Sequence, residues 1–233
     1  MTTGSGKVVL CLGKGFDAVG GPSWSTERNG EKSGELLQEL GAGVIVLSGN
    51  GPGEADRQVT EADHLADAVV RSQPGAECSS EVPIDEGRFA LGALKLANVD
   101  TTVIKDKGAY STFDNIAGLL RLITLGKIDP GELTEIKIVG GDKHAKRARR
   151  IARHCLQFSG VDISVTPSYK ESKAEAAAEA VQGALTSIVL FGKKAASAEE
   201  LAAIGRRYTR MTQGITSLIP KFLRSRLHPG KVG

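Results

Sequence analysis

One histidine and one arginine are spaced so that they could bind an anion and transfer a proton. His144 and Arg147 follow Gly140-Gly141, three positions apart in the first turn of a helical pattern. Residues three apart share a helix face, so both side chains can reach one ligand. An imidazole with an ordinary pKa of about 6.5 moves protons near neutral pH. A lone histidine at a helix start is more often structural, and the neighbouring arginine is what favours catalysis.

Glycines and hydroxyls stand in two further loops of the same kind. Gly13-Lys14-Gly15 and Ser48-Gly49 each come directly after an apolar run. Glycines let the backbone turn tightly and direct its amides at an anion. The first loop departs from G-x-G-x-x-G because Ala18 stands at the third glycine position. A flexible loop without a ligand explains it equally well.

Two Ser/Thr-x-x-Asp motifs have a structural and a functional interpretation. Thr60-x-x-Asp63 and Ser111-x-x-Asp114 are both capping boxes, and helix initiation alone would account for them. A helix N-terminus with a hydroxyl is also an anion site. Asn115, which follows the second motif, is left without a capping role and could donate to a ligand.

The alternation of strands and helices would position these residues. Five β-branched runs predict strands at 7–12, 43–47, 101–104, 135–139 and 162–165. Helical patterns lie near 28–40, 61–72, 86–97, 112–125, 143–157, 171–190, 197–211 and 214–226. Continuous apolar strands separated by helices predict a Rossmann-like, doubly wound α/β fold with a mainly parallel sheet of about five strands and extra C-terminal helices. Ligands bind outside the carboxyl ends of such strands, where all these loops lie.

Composition excludes several classes of protein. The chain has 233 residues, 40% hydrophobic, 24% charged and only 4% aromatic, which leaves little for base stacking. Three cysteines without a CxxC spacing indicate neither a disulfide framework nor a zinc knuckle, and a cytoplasmic protein is expected. No metal site is favoured, because Asp142, His144, Asp114 and Glu61 include no pair with metal-ligand spacing on one helix. Neither a signal peptide nor an apolar run of about 18 residues is apparent.

Charge is unevenly distributed along the chain. The net charge is +3, yet residues 193–233 carry nine lysines and arginines against two glutamates. Residues 1–192 are expected to form the α/β domain and 193–233 a basic helical extension, packed on it or trailing from it. Residues 220–227 could form an amphipathic basic helix at a membrane surface or acidic partner, although a packed helix is favoured. Broad nucleic-acid binding is not expected.

These motifs together resemble the YdcF-like family of domains of unknown function, which includes SanA and ElyC. The resemblance covers about residues 7–166. It rests on Gly13-x-Gly15, Arg28, Ser48-Gly49, Thr60-Glu61-Ala62, Ser111-Thr112-x-Asp114-Asn115 and His144-x-x-Arg147-Ala148. It implies a Rossmann-like fold with one ligand pocket built from these motifs. Members have been linked to S-adenosylmethionine binding and to envelope and lipid-carrier metabolism.

The chain also departs from the family pattern. Asp114 stands where the family usually has Glu, and Asn50 where it has a second Gly. The segment between Glu61 and the third predicted strand is longer than usual. Glu81 or Glu86 could therefore be the counterpart of the acid expected at Glu61.

The leading hypothesis is an enzyme, a hydrolase or transferase, acting on a small phosphate-bearing or nucleotide-like anion. The expected catalytic residues are His144, Asp114 and Glu61. The expected ligand-binding residues are Gly13, Gly15, Arg28, Ser48, Gly49, Ser111, Thr112, Asn115 and Arg147. One alternative is an S-adenosylmethionine-binding protein, which the lack of an acid directly after the second strand disfavours. Another is a non-catalytic scaffold that uses its basic tail. The sequence predicts no oligomeric state.

Overall fold

The structure, a computed structural model, describes residues 6–17, 21–49, 59–96 and 99–218. The strands are β1 (Lys7–Leu12), β2 (Val44–Ser48), β3 (Glu77–Cys78), β4 (Val82–Ile84), β5 (Phe89–Leu96), β6 (Val99–Asp106), β7 (Glu135–Gly140) and β8 (Asp162–Pro167). The helices are α1 (Trp24–Leu40), α2 (Glu61–Arg71), α3 (Thr112–Thr124), α4 (Asp142–Ala152), α5 (Lys173–Leu190) and α6 (Ala198–Leu218).

All the strands join one sheet in the order β3-β5-β6-β2-β1-β7-β8. β4 also pairs with β5, along the same edge as β3. The strands β6, β2, β1, β7 and β8 are parallel to one another and are the five that the sequence predicts. The predicted Rossmann-like α/β fold is confirmed, although the sheet has eight strands rather than about five. β1 pairs with β2 on one side and with β7 on the other. The chain therefore adds strands to one side of β1 first and to the other side later, and the connections reverse direction at β1.

The helix predicted near 86–97 is wrong. These residues form β5, which pairs antiparallel with β6 from Phe89 opposite Asp106 to Leu96 opposite Val99. Asp85 and Glu86 both have a φ of 54°, a left-handed conformation that turns the chain from β4 into β5. Alanine and leucine favour a helix here, but pairing with a neighbouring strand outweighs that local preference.

Helices cover both faces of the sheet. On one face α1 and α2 enclose Val9, Cys11, Ile45 and Leu47; on the other, α3 and α4 pack over Leu10, Leu12 and Ile138. The alternation of β1 residues between these two cores is that of a strand buried on both sides.

The C-terminal helix α6 belongs to this second core. Leu201, Ile204 and Tyr208 are buried, and Gly205 lies so close to Phe113 of α3 that a Cβ there would come within 2.8 Å of the Phe113 Cβ. The helices predicted at 197–211 and 214–226 form one helix as far as Leu218, and the proposed amphipathic segment 220–227 lies outside the described residues. Among the described helices, none has the length and apolar content needed to cross a membrane.

Candidate functional site

A cavity of about 590 Å³ opens at the carboxyl edge of the sheet, beside the point where the connections reverse at β1. In doubly wound sheets this crevice is where ligands bind. Loops after β1, β2 and β6 contribute to it, and so do α3, α4, α5 and α6. Ten of the residues predicted from the sequence line the cavity: Gly13, Gly15, Ser48, Gly49, Glu61, Ser111, Thr112, Asn115, His144 and Arg147.

Two predicted residues do not line it. Arg28 lies on the outer face of α1, where its guanidinium pairs with Glu31 at 2.7 Å. Asp114 accepts a hydrogen bond from the Ser111 hydroxyl at 2.8 Å and takes part in capping α3. Of the two alternatives to Glu61, Glu81 pairs with Lys105 and Glu86 forms part of the turn before β5. Glu61 is therefore the candidate acid that the structure places at the cavity.

His144 is held in the cavity wall as a neutral imidazole. Its Nε2 lies 3.1 Å from the Thr112 hydroxyl, and its buried Nδ1 has no hydrogen-bond partner. Burial, together with the nearby charges of Lys14 and Arg147, lowers the pKa of His144 to about 3 despite the opposing charge of Glu179. The ordinary pKa expected from the sequence is thus wrong, because the fold buries the ring.

A buried carboxylate joins the two cations of the site. Glu179 of α5 pairs with Lys14 at 2.7 Å and with the Arg147 Nε at 3.1 Å. The Tyr208 hydroxyl lies 3.2 Å from the Arg147 Nη1. Burial acts to raise the pKa of Glu179, but at the low pH where it titrates the protonated ring of His144, together with Arg147 and Lys14, outweighs burial and lowers that pKa to about 2. Glu179 therefore remains ionised and holds both cations at the cavity.

The pairing of Arg147 with Glu179 is only partly aligned, since the Arg147 Nη2 donates to the Glu179 Oε1 at a long 3.5 Å. The Arg147 Nε and the Glu179 Oε2 both lack a partner of hydrogen-bond geometry. Charged groups in this state retain hydrogen-bonding capacity that a better-aligned partner can use. Arg147 can thus exchange its poorly aligned Nε contact with Glu179 for a hydrogen bond to a ligand.

The glycines of the first two loops make room for a side chain. A Cβ on Gly13 would lie 2.5 Å from the Glu61 Oε2, and one on Gly49 would lie closer still. The Gly13 amide donates to the Ser48 carbonyl at 2.8 Å, and the Lys14 amide to the Thr26 hydroxyl at 3.1 Å. These two hydrogen bonds hold the loop in place. Because Gly13 and Gly49 have no side chain, the Glu61 carboxylate fits against the strand ends.

The two helix N-termini at the cavity differ in accessibility. At α4, the Glu171 carboxylate accepts from the amides of Lys143 at 2.7 Å and His144 at 3.3 Å. At α3, Ser111 caps the Asp114 amide, while Ser111 and Thr112 both line the cavity. The first amides of a helix have no intrahelical partner. The α3 N-terminus is therefore the better candidate for binding an anion.

A second buried carboxylate fixes two polar residues of the cavity floor. The Asp106 carboxylate accepts from the Arg88 Nε and Nη2, both at 3.1 Å, and from the Gly108 amide. The Ser48 hydroxyl lies 3.1 Å from the Asn115 Oδ1 and 3.4 Å from the Asp106 Oδ2. Burial raises the pKa of Asp106 against the charge of Arg88. Because the Asn115 Oδ1 accepts from Ser48, its amide nitrogen is oriented to donate elsewhere.

Sequence reasoning missed several of these residues. Lys14 lies between the predicted ligand-binding residues Gly13 and Gly15, but nothing in this glycine motif gives the lysine a role. Glu179 belongs to an Ala/Glu-rich helix in which no spacing distinguishes it from Glu175. Glu171 and Tyr208 likewise carry no signal, because each acquires its role only when distant elements meet.

Part of the cavity lining is apolar. Ala177, Ala178, Val181 and Leu185 of α5 line it. A ligand would thus meet aliphatic carbon as well as cations and hydroxyls. Within the described parts of the chain, no three His, Cys, Asp or Glu side chains are grouped to hold a metal ion.

In comparisons with known proteins, no family model, no curated protein and no solved structure matches this chain. The YdcF-like resemblance therefore stays a prediction, and the function has to be argued from the cavity itself.

Proposed function

We propose that the protein is an enzyme, a hydrolase or transferase, that holds a phosphate-bearing metabolite of about nucleotide size in this cavity. One observation carries the proposal: Lys14, Arg147 and the N-terminus of α3 border the same 590 Å³ space as a buried histidine with an unpartnered nitrogen. That volume lies within the range of about 300–1,000 Å³ typical of small-molecule sites.

The anionic group is expected to bind at the start of α3. Backbone amides and the helix dipole favour negative charge there, and the Ser111 and Thr112 hydroxyls add donors. Lys14 and Arg147 supply the neutralising charge. Since Glu179 already pairs with both, the incoming anion must compete with a carboxylate, which selects for strong acceptors such as phosphate over neutral polar groups.

Proton transfer falls to His144 and Glu61. An anion beside the neutral imidazole would raise the pKa of His144, because an opposite charge favours the protonated form. The Nδ1, which has no partner, is the atom at which the proton would be gained or lost. Glu61 places a carboxylate between the ends of β1 and β2, where it could orient or deprotonate a water or a ligand hydroxyl.

A thermal-shift panel tests the binding part of the proposal. It would contain inorganic phosphate, sugar phosphates, nucleotides and the matching dephosphorylated compounds. We expect phosphorylated members to raise the melting temperature and their dephosphorylated partners to leave it unchanged. The Lys14→Met and Thr112→Val variants should lose most of the shift. Lys146→Met, which removes a lysine paired with Asp142 outside the cavity, is the matched control and should keep it.

Equal shifts for phosphorylated and dephosphorylated compounds, or a full shift in Lys14→Met, would contradict the binding assignment. Catalysis is tested separately on the compounds that bind, by assaying phosphate release and group transfer. The His144→Gln variant should retain binding and lose turnover. Turnover equal to that of the wild type would remove His144 from the mechanism, and no turnover in the wild type would favour a binding protein.

S-adenosylmethionine is a second candidate ligand, favoured by the position of Glu61. The sequence argued against it because no acid directly follows β2, yet α2 brings the Glu61 carboxylate against Gly13 and Gly49 at the ends of β1 and β2. An acid there could accept hydrogen bonds from a ribose. Calorimetry with S-adenosylmethionine and the Glu61→Gln variant would separate the two candidates. Heat of binding that is lost in Glu61→Gln and kept in Lys14→Met would favour this ligand over the phosphate-bearing one.

A further inference from the structure

The outer face of α5 carries a row of exposed apolar residues, called here the α5 seam. Phe191, just past the end of the helix, is 86% exposed, Ile188 63% and Val181 57%, and these are three of the nine exposed large hydrophobic residues in the described part of the chain. The α5 seam consists of Ala174, Ala177, Val181, Ala184, Ile188 and Phe191. Its spacing alternates between three and four residues, which is the spacing of a seam between two packed helices.

The other faces of α5 are already used within the chain. Leu185, Val189 and Leu190 are buried, and α5 packs against α4 and α6. A helix that is apolar on all its faces is normally covered on all of them. Leu156, whose amide donates to the Ala195 carbonyl at 2.9 Å, is also exposed, at 53%.

We propose that a second copy of this chain covers the α5 seam, with the two α5 helices antiparallel about a two-fold axis at Ala184. The distribution of charge and size along the helix selects this occupant and this direction. Glu175 lies nine positions before Ala184 and Lys193 nine positions after it. An antiparallel pair therefore brings Glu175 in the first turn of each helix near Lys193 of the other copy, which lies just past the end of the helix, whereas a parallel pair would place like charges together.

Side-chain volume is complementary in the same arrangement. Ala177 and Phe191 lie seven positions on either side of Ala184, so a large ring of one copy meets a small residue of the other. The alanine at the centre lets the helices approach closely. Such an interface is isologous and closes after two copies, as most natural homodimers do.

The interface would adjoin the cavity. Ala177 and Val181 belong to the α5 seam and also line the cavity. The second copy would thus border its open side and bury part of the rim. The dimer does not depend on the proposed function, since it is argued from the exposed apolar residues and the charges of α5.

Sedimentation of the full chain at increasing concentration tests the proposal. One helix pair is smaller than a standard interface of about 800 Å² per partner, so we expect a dissociation constant of about micromolar order. The mass should rise from that of the 24.4 kDa monomer to twice that value. Ile188→Asp should abolish the increase while the circular dichroism spectrum stays unchanged. Val82→Asp, at an equally exposed apolar residue of β4, is the matched control and should dimerise normally.

Cross-linking tests the orientation. With the exposed Cys78 replaced by serine, Ala184→Cys should form an intermolecular disulfide on mild oxidation, because the axis passes through that residue. Ala177→Cys should not link to itself. A chain that stays monomeric at all concentrations, a dimer that Ile188→Asp leaves intact, or self-linking of Ala177→Cys would each overturn the proposal.

Discussion

Two buried carboxylates lie near the same edge of the sheet, and each is paired with arginine, but they differ in how completely their hydrogen bonds are satisfied. Asp106 accepts from both ends of the Arg88 guanidinium and from the Gly108 amide, all at 3.1 Å. Glu179 sits between Lys14 and Arg147, and one of its oxygens lacks a well-aligned donor. Only the second pair lines the cavity.

The difference separates a structural ion pair from a candidate binding group. A carboxylate whose acceptors are all satisfied has nothing to gain from a ligand, and breaking it leaves an uncompensated charge. A carboxylate that pairs with two cations at a cavity, one of them through a poorly aligned contact, can release that one. The predictions below test whether the two pairs behave as differently as their geometry implies.

Breaking the Asp106 pair should have the largest effect on stability. Replacing Arg88 by methionine leaves the Asp106 carboxylate buried without its cation, so we expect a loss of about 3–5 kcal/mol in the free energy of unfolding. Urea denaturation at neutral pH measures it. The control, Arg71→Met, removes an exposed pair with Glu27 and should cost about 0–1 kcal/mol. Equal losses in the two variants would mean that Asp106 is not a structural anchor.

The pH dependence of stability should reveal the buried His144. Its pKa is about 3 in the folded chain, below the ordinary 6.5, so the unfolded chain binds more protons between these values. Stability contributed by the neutral ring is complete above pH 6.5 and falls as the pH is lowered toward 3. We expect a slope of up to about 1.4 kcal/mol per pH unit in this window.

The His144→Gln variant should show a shallower slope between pH 6.5 and 4.5, measured as the urea midpoint at each pH. Below about pH 4.5 both proteins should lose stability, because the pKa of Glu179 is about 2 in the folded chain and 4.5 in the unfolded chain, which therefore binds more protons in this range. Identical slopes above pH 4.5 would show that another group titrates there.

Neutralising Glu179 should increase anion affinity. In Glu179→Gln the carboxylate no longer competes for Lys14 and Arg147, so we expect phosphate to bind about tenfold more tightly, equivalent to about 1.4 kcal/mol. Calorimetry with inorganic phosphate measures the change. The matched control is Glu175→Gln, one turn earlier on α5, where glutamine can keep the capping contact with Ser172. Weaker binding in Glu179→Gln would assign the carboxylate to the ligand site itself.

Ser48 joins the two regions and should give the smallest effect. Ser48→Ala removes its hydrogen bond to Asn115 or Asp106, so we expect a loss of about 0.5–1.5 kcal/mol in unfolding free energy. The Arg88 and Gly108 contacts of Asp106 remain. A loss as large as that of Arg88→Met would show that Ser48, rather than the guanidinium, anchors Asp106.

The sequence predicted the parallel part of the sheet because its strands are continuous apolar runs, a property that each strand carries by itself. It did not predict β5, whose alanines and leucines favour a helix until β6 pairs with them. Most of the loops at the cavity could be found because a strand end is a local feature that marks the carboxyl edge. Glu179 could not, since its partner Lys14 is 165 positions away. Arg28 was misplaced because entry into α1 does not fix which way a side chain faces.

The central position of β1 has a consequence for how the chain is made. Val8 pairs with Val44 on one side and with Ile136 on the other, so one edge of β1 stays open until β7 has been synthesised. An open apolar strand edge is a template for pairing with another chain. Nascent chains halted before residue 135 should therefore aggregate or recruit a holdase, whereas those extended past residue 167 can complete the parallel sheet.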